Sequence, residues 1–102
     1  MSCVVKSEGD VVHVVGEMTI YDIAAIRTEL LNVILQQPNP VLDLSAVTEF
    51  DTAGLQLVFM AQRVCAQHEK LLRFGPMSEA VEATWRLLHL AMQGTMVGAA
   101  DT

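Results

Sequence analysis

The sequence predicts an α/β fold in which helices pack against a mixed β-sheet of about four to five strands. Short apolar runs alternate along the chain with segments whose apolar residues recur at helical spacing, in the order β-β-α-β-α-β-α. Strands joined through helices pair in parallel and a hairpin pairs antiparallel, so this order gives a mixed sheet. The 102 residues are 52% hydrophobic and 18% charged, which excludes a disordered chain and fits a single domain over residues 1–102.

The first elements are a hairpin and a helix. Residues 4–6 and 11–15 are rich in valine, and Ser7–Asp10 between them are turn formers, so two paired strands are expected. The next apolar residues recur at helical spacing: Ile23, Ile26, Leu30, Val33 and Ile34. This helix is expected to end before Pro38, because proline disfavours the helical conformation in the residue before it.

A buried strand and a second helix come next. Val41–Leu44 is short, apolar and flanked by helix breakers, which favours a central strand followed by a loop. Asp51 and Thr52 are good helix N-caps, and helical spacing continues to about Gln67. One face of this helix is apolar or small: Gly54, Val58, Ala61 and Cys65.

The last elements are a short strand and a third helix. Leu71–Phe74 is predicted as the strand, and Gly75-Pro76 as the break after it. Ser78 is expected to cap a helix whose apolar stripe is Val81, Trp85 and Leu88. From Gln93 onward the pattern leaves open a last strand around Met96-Val97 or a frayed tail.

Charge and cysteine content exclude several classes of partner and cofactor. The net charge of −6 and the pI of about 4.8 argue against nucleic acid, because phosphate binding needs clustered Lys and Arg. Two distant cysteines give neither a disulfide framework nor a zinc spacing, so no metal and no cofactor are expected. The start of the chain has no signal-peptide pattern, and no apolar run is long enough to span a membrane. We expect a soluble cytoplasmic protein without direct membrane insertion.

No set of residues in the sequence indicates an enzyme. His13, His68 and His89 are scattered, no Ser or Cys is placed as an activated nucleophile, and no Gly-rich phosphate loop occurs. Asp43 and Asp51 are conceivable as an acid–base pair, but Asp43 lies in a strand and is expected to bond its own loop. We therefore expect a non-enzymatic protein with no catalytic residue.

The segment from Leu42 to Leu57 carries the most information. It places an acidic residue, a hydroxyl and a glycine, Asp51-Thr52-Ala53-Gly54, at the start of a helix after a buried strand. A phosphate on Thr52 would lie beside the N–H groups and the positive end of the helix dipole. The alternative is that Asp51 or Thr52 only caps the helix and that Gly54 only permits close packing.

The chain resembles the STAS family, the domain shared by bacterial anti-sigma-factor antagonists and sulfate-transporter tails. The resemblance rests on the element order and on three segments, namely Gly16-Glu17, Asp43-Leu44-Ser45 and Asp51–Leu55. In the antagonists, the residue after the motif's Asp is phosphorylated by the anti-sigma kinase and dephosphorylated by a phosphatase. The unphosphorylated antagonist binds the kinase and frees the sigma factor. The resemblance implies Thr52 as the phosphoacceptor, supported by Asp51, Ala53 and Gly54.

Two positions differ from those antagonists. Thr19 stands where they often carry an Asp at the kinase-contacting edge, and Ala53 stands where a second Ser or Thr is common. The sequence of the motif segments is more similar to that of stand-alone STAS proteins associated with bacterial chemotaxis and two-component systems. It is also partly similar to the small STAS subunit of a phospholipid-trafficking ABC transporter.

Two functions remain open from the sequence. One is a bacterial signalling module whose binding to a kinase, a phosphatase or another regulator depends on phosphorylation of Thr52. The other is a constitutive subunit of an ABC-type transporter complex. Either partner would contact Thr19 or an outward face of the second helix that includes Gln56, Phe59, Met60 and Arg63. The Phe59–Met60 face or an edge of the hairpin would also allow a homodimer.

Overall fold

The computed structural model describes residues 3–88, which form a four-stranded sheet and three helices. The strands are β1 (Cys3–Glu8), β2 (Val11–Met18), β3 (Val41–Phe50) and β4 (Arg73–Met77). The helices are α1 (Ile23–Gln36), α2 (Thr52–Gln67) and α3 (residues 79–88). The predicted element order is confirmed. The region around Met96-Val97 lies outside the described residues, as does His89.

The sheet is mixed, as the element order predicts. Its strand order is β1-β2-β3-β4, with β1 antiparallel to β2 and the pairs β2/β3 and β3/β4 parallel. The hairpin turn between β1 and β2 is shorter than expected and consists of Gly9 and Asp10. Gly9 has a φ of 59°, a backbone conformation that glycine adopts without steric cost. The α/β class with a mixed sheet is thereby confirmed.

The hydrophobic core lies between one face of the sheet and the helices. Val12 and Val14 of β2 and Leu42 and Leu44 of β3 are fully buried, and the residues between them are less buried. The helices bury the stripes that helical spacing predicted, with Ile26, Leu30 and Ile34 from α1 and Gly54, Val58, Ala61 and Cys65 from α2. Helix α2 starts directly after the carboxyl end of the central strand β3.

Strand β3 is longer than the sequence predicted. The segment after Leu44, expected to be a loop, continues as strand to Phe50, and its pairing with β2 runs as far as Met18. Register shifts interrupt the pairing of β3 with β2 in this part of the strand. The alternation of buried and exposed residues is therefore lost, and Val47 and Phe50, three positions apart, are both buried. The extension brings the end of β3 level with the end of β2.

Strand β4 was predicted two residues too early. It covers Arg73–Met77, so Gly75-Pro76 lie inside the strand rather than after it. Proline is tolerated here because, among the strands of residues 3–88, β4 is an edge strand that pairs with β3 alone. The N-cap of α3 is confirmed, since the Val81 N–H donates to the Ser78 hydroxyl oxygen over 3.2 Å.

Candidate functional site

Asp51 caps helix α2 through one of its carboxylate oxygens. The residue has extended backbone angles between β3 and α2. Its Oδ1 accepts hydrogen bonds from the N–H groups of Ala53, at 2.9 Å, and Gly54, at 3.2 Å. These N–H groups belong to the first helical turn, where backbone N–H groups have no hydrogen-bond acceptor within the helix. Asp51 rather than Thr52 is therefore the N-cap.

The other carboxylate oxygen of Asp51 binds the connection between β2 and α1. Oδ2 accepts the N–H of Ile20 over 3.0 Å, across 31 positions of sequence. This connection is itself closed by local bonds, because the carbonyl oxygen of Thr19 accepts the N–H groups of Asp22 and Ile23, both at 2.9 Å. We call residues 19–22 the docking turn. Nothing local in the sequence signalled its bond to Asp51.

Thr52, the predicted phosphoacceptor, is the first residue of α2 and is exposed. Its hydroxyl is therefore accessible at the surface, beside a half-buried Ala53. The positive end of the helix favours an added phosphate, but Asp51 already occupies the N–H groups of Ala53 and Gly54. A phosphoryl group on Thr52 would compete with the Asp51 carboxylate for these N–H groups, and the two negatively charged groups would repel each other.

Gly54 packs against the ends of the two central strands. It is buried, and a Cβ at this position would lie 2.6 Å from the carbonyl oxygen of Met18 and 2.9 Å from the ring of Phe50. Real Cβ atoms do not approach a backbone oxygen that closely. The glycine therefore allows α2 to start close to the ends of β2 and β3, which agrees with the packing explanation of the motif.

Two exposed apolar side chains in the docking turn were missed by the sequence reasoning. Ile20 is 67% exposed and Tyr21 is 91% exposed, next to the bond that the Ile20 N–H donates to Asp51. The available signal was the position of two large apolar residues between two polar ones, Thr19 and Asp22, in a strand-to-helix connection. Exposure of such a pair marks a candidate contact surface.

The surroundings of the docking turn are acidic. Glu17 of β2 and Glu49 of β3 are paired in register, and a hydrogen bond to Glu17 together with its charge raises the pKa of Glu49. Burial, followed by the Asp22 and Glu17 carboxylates, raises the pKa of the Cys3 thiol to about 11. These carboxylates therefore lie at the same corner of the sheet as the docking turn.

The outward face predicted on α2 is only partly exposed. Gln56 and Arg63 are exposed, as a partner surface requires. Phe59 is 37% exposed and makes an edge-to-face contact with Trp85, with ring centroids 5.9 Å apart. Met60 is half-buried and packs against the core. Thr19, the remaining predicted contact residue, lies in the docking turn.

A separate polar cluster joins β1, β2 and β3. His13 Nε2 lies 3.2 Å from Glu8 Oε1, and its Nδ1 lies 3.3 Å from Asp43 Oδ2. Oδ1 of Asp43 accepts the N–H and the hydroxyl of Ser45, at 2.8 and 2.6 Å, so Asp43 bonds the residue expected, but within β3 rather than in a loop. Burial acts to raise the pKa of Asp43, but the Ser45 hydrogen bonds and the His13 ring outweigh it, and the pKa is lowered.

The remaining candidates for chemistry do not assemble into a site. Asp43 and Asp51 have different hydrogen-bond partners. Cys3 and Cys65 are both free thiols, and burial raises the pKa of Cys65. Within residues 3–88, no group of three or more His, Cys, Asp or Glu side chains is placed to hold a metal ion. The helices of this part of the chain also include none that is long and apolar enough to cross a membrane.

The comparisons with known proteins concern nearly the whole chain. A family model described as "Mlab, STAS domain" matches residues 2–98. The match spans every strand and helix given above and the Asp51–Gly54 segment. A comparison with curated proteins found no match.

Proposed function

Because the chain belongs to the STAS domain family, we propose that it is a non-enzymatic signalling module whose binding to a protein partner is controlled by phosphorylation of Thr52. The fold is that of the anti-sigma-factor antagonists and sulfate-transporter tails, and STAS domains generally mediate protein–protein contacts. In this proposal the partner is a kinase or regulator of the anti-sigma or two-component type, and a phosphatase reverses the modification.

The exposed hydroxyl of Thr52 directly beside Asp51 carries this proposal. A kinase needs an accessible acceptor, and Thr52 is exposed at the first position of α2. A phosphate adds a charge of about −1.5 to −2 at pH 7. That charge would stand next to the Asp51 carboxylate, which holds both the start of α2 and the docking turn. The modification would therefore change the shape of two surface segments together.

Mass spectrometry of the protein purified from its native cells, with and without phosphatase treatment, tests whether Thr52 carries phosphate. Binding of the partner is then titrated with Thr52→Glu and Thr52→Ala. We expect Thr52→Glu to weaken binding by about tenfold or more, equivalent to about 1.4 kcal/mol, and Thr52→Ala to bind as the wild type does. Since Thr52 is exposed, both variants should fold. Equal binding by the two variants would contradict phosphorylation control.

A second candidate function is a constitutive small subunit of an ABC-type transporter complex. It is favoured by the exposed Gln56 and Arg63 on α2, which offer a contact face that does not involve the hydroxyl of Thr52. This function predicts absence of phosphate under all growth conditions. It also predicts that charge reversal at Arg63 disrupts the complex, whereas Thr52→Glu leaves it intact.

A further inference from the structure

His13 lies on the face of the sheet that points away from the helices. Val12 and Val14, on either side of it in β2, are fully buried in the core, and successive residues of a strand point to opposite faces. The register places Lys6 of β1 and Asp43 of β3 directly beside His13. The imidazole ring is therefore the centre of a polar row that crosses three strands.

Both ring nitrogens of His13 face carboxylate oxygens. Nε2 lies 3.2 Å from Oε1 of Glu8, and Nδ1 lies 3.3 Å from Oδ2 of Asp43. An ionised carboxylate only accepts hydrogen bonds, and a neutral imidazole carries a single N–H. The ring with a proton on each nitrogen is therefore the form that can donate to both carboxylates.

The charged groups that face His13 favour a proton on its ring. Strand β1 contributes the carboxylate of Glu8 and the ammonium group of Lys6, and β3 contributes the carboxylate of Asp43. Two negative groups therefore oppose one positive group around the ring. Arg73 belongs to β4, which β3 separates from β2.

The two carboxylates differ in how firmly they are held. The Asp43 side chain is 13% exposed, and its Oδ1 accepts the N–H and the hydroxyl of Ser45. Burial acts to raise the pKa of Asp43, but these hydrogen bonds and the charge of His13 lower it. The Glu8 side chain is 82% exposed at the last position of β1. When the ring loses one proton, the remaining N–H should therefore stay on Nδ1 with Asp43, and the bond to Glu8 is lost.

We propose that protonated His13 clamps the end of β1 to the sheet through Glu8, and that loss of one ring proton opens this clamp while the link to Asp43 stays. Among the strands of residues 3–88, β1 is an edge strand whose partner is β2. The contribution of the clamp to stability is present in acid and is lost as the pH rises through the range in which histidine titrates, about pH 5–8. The inference goes beyond the proposed function, because it holds whether or not Thr52 carries phosphate.

Urea denaturation of the wild type and of Glu8→Gln at about pH 5.5 and about pH 8.5 tests the clamp. We expect Glu8→Gln to lower the equilibrium constant of folding about two- to fivefold at the lower pH, as for a partly exposed ion pair, and to leave it unchanged at the higher pH. In a His13→Gln background, Glu8→Gln should have the same effect at both pH values. Glu29→Gln, at an exposed position of α1, is the control and should also act equally at both.

Two outcomes of this titration would overturn the proposal. One is an effect of Glu8→Gln that is absent at the lower pH, and the other is an effect of equal size at both pH values. Because the Glu8 side chain is 82% exposed, its replacement should leave the fold intact, which circular dichroism of the purified variant checks.

Nitrogen-15 NMR of the His13 ring shows which proton leaves. We expect both ring nitrogens to carry protons at the lower pH and the remaining proton to lie on Nδ1 at the higher pH. A neutral ring with its proton on Nε2 would mean that Glu8 rather than Asp43 keeps the bond, which contradicts the proposed order of release.

Amide hydrogen exchange measures the release of the strand itself. After correction for the intrinsic pH dependence of exchange, protection of the β1 amides in the wild type should be about two- to fivefold lower at the higher pH. In Glu8→Gln it should be low at both pH values. Protection of β1 that stays constant in the wild type would show that the clamp does not hold the edge strand, and the proposal would fail.

Discussion

The hydroxyl of Thr84 donates a hydrogen bond to the carbonyl oxygen of Phe50 over 3.0 Å. Phe50 is the last residue of β3 and directly precedes Asp51, so this bond fastens α3 to the strand end from which the site is built. Thr84→Val keeps the shape of the side chain and removes the donor. We expect it to lower the free energy of unfolding by about 1 kcal/mol, measured by urea denaturation. Thr28→Val, at an exposed position of α1, is the control and should change stability by less.

Gly54 is expected to tolerate no side chain. Gly54→Ala would place a Cβ 2.6 Å from the Met18 carbonyl oxygen, so α2 must shift away from the strand ends. Overpacking of this kind costs about 1–3 kcal/mol, which urea denaturation would detect. The matched control is Gly75→Ala, whose Cβ would meet Val41 at an ordinary 3.5 Å. Equal effects of the two substitutions would mean that the contact with Met18 does not determine the packing.

The lowered pKa of Asp43 predicts a pH-dependent contribution to stability. A carboxyl group whose pKa is lower in the folded state stabilises the fold above its unfolded pKa, and this contribution is lost as the pH falls through the folded pKa. Asp43→Asn should therefore cost about 1 kcal/mol at pH 7, and the difference from wild type should shrink below about pH 4. Urea denaturation at pH 7, 5, 4 and 3 measures it. Glu29→Gln, at an exposed position of α1, serves as control. A difference that stays constant down to pH 3 would contradict the assignment.

The predicted contact face of α2 is best tested at Arg63. Arg63 is exposed, so Arg63→Glu should leave the melting temperature nearly unchanged and weaken any complex that uses this face. Met60→Asp is a poor probe, because Met60 packs against the core and an aspartate there would destabilise the domain itself. Partner binding and thermal unfolding of both variants distinguish the two effects. If Arg63→Glu binds the partner with wild-type affinity, the partner contacts a surface other than this face of α2.

Much of the fold follows from local patterns in the sequence. Helical spacing of apolar residues located α1 and α2, and the buried residues Ile26, Leu30, Val58 and Cys65 lie on the faces that this spacing predicted. These signals suffice because a helix that packs on a sheet must bury one continuous stripe.

The errors lie where pairing between strands overrides local pattern. The continuation of β3 to Phe50 depends on partners in β2. The shifted β4 depends on its edge position among the described strands, which makes Pro76 acceptable. The Asp51–Ile20 bond joins residues that are 31 positions apart, so only the three-dimensional arrangement reveals it. The motif therefore located the start of α2 at Asp51-Thr52, while the neighbouring apolar pair needed the structure.

Within residues 3–88, the hydrogen bonds that the Asp51 carboxylate accepts come from main-chain N–H groups, those of Ile20, Ala53 and Gly54. Every amino acid except proline supplies such a group, so the identity of the side chain at position 20 is independent of the bond that holds it. Most side chains at position 20 are therefore compatible with this bond, whereas proline there would remove the N–H and disconnect the turn from the start of α2.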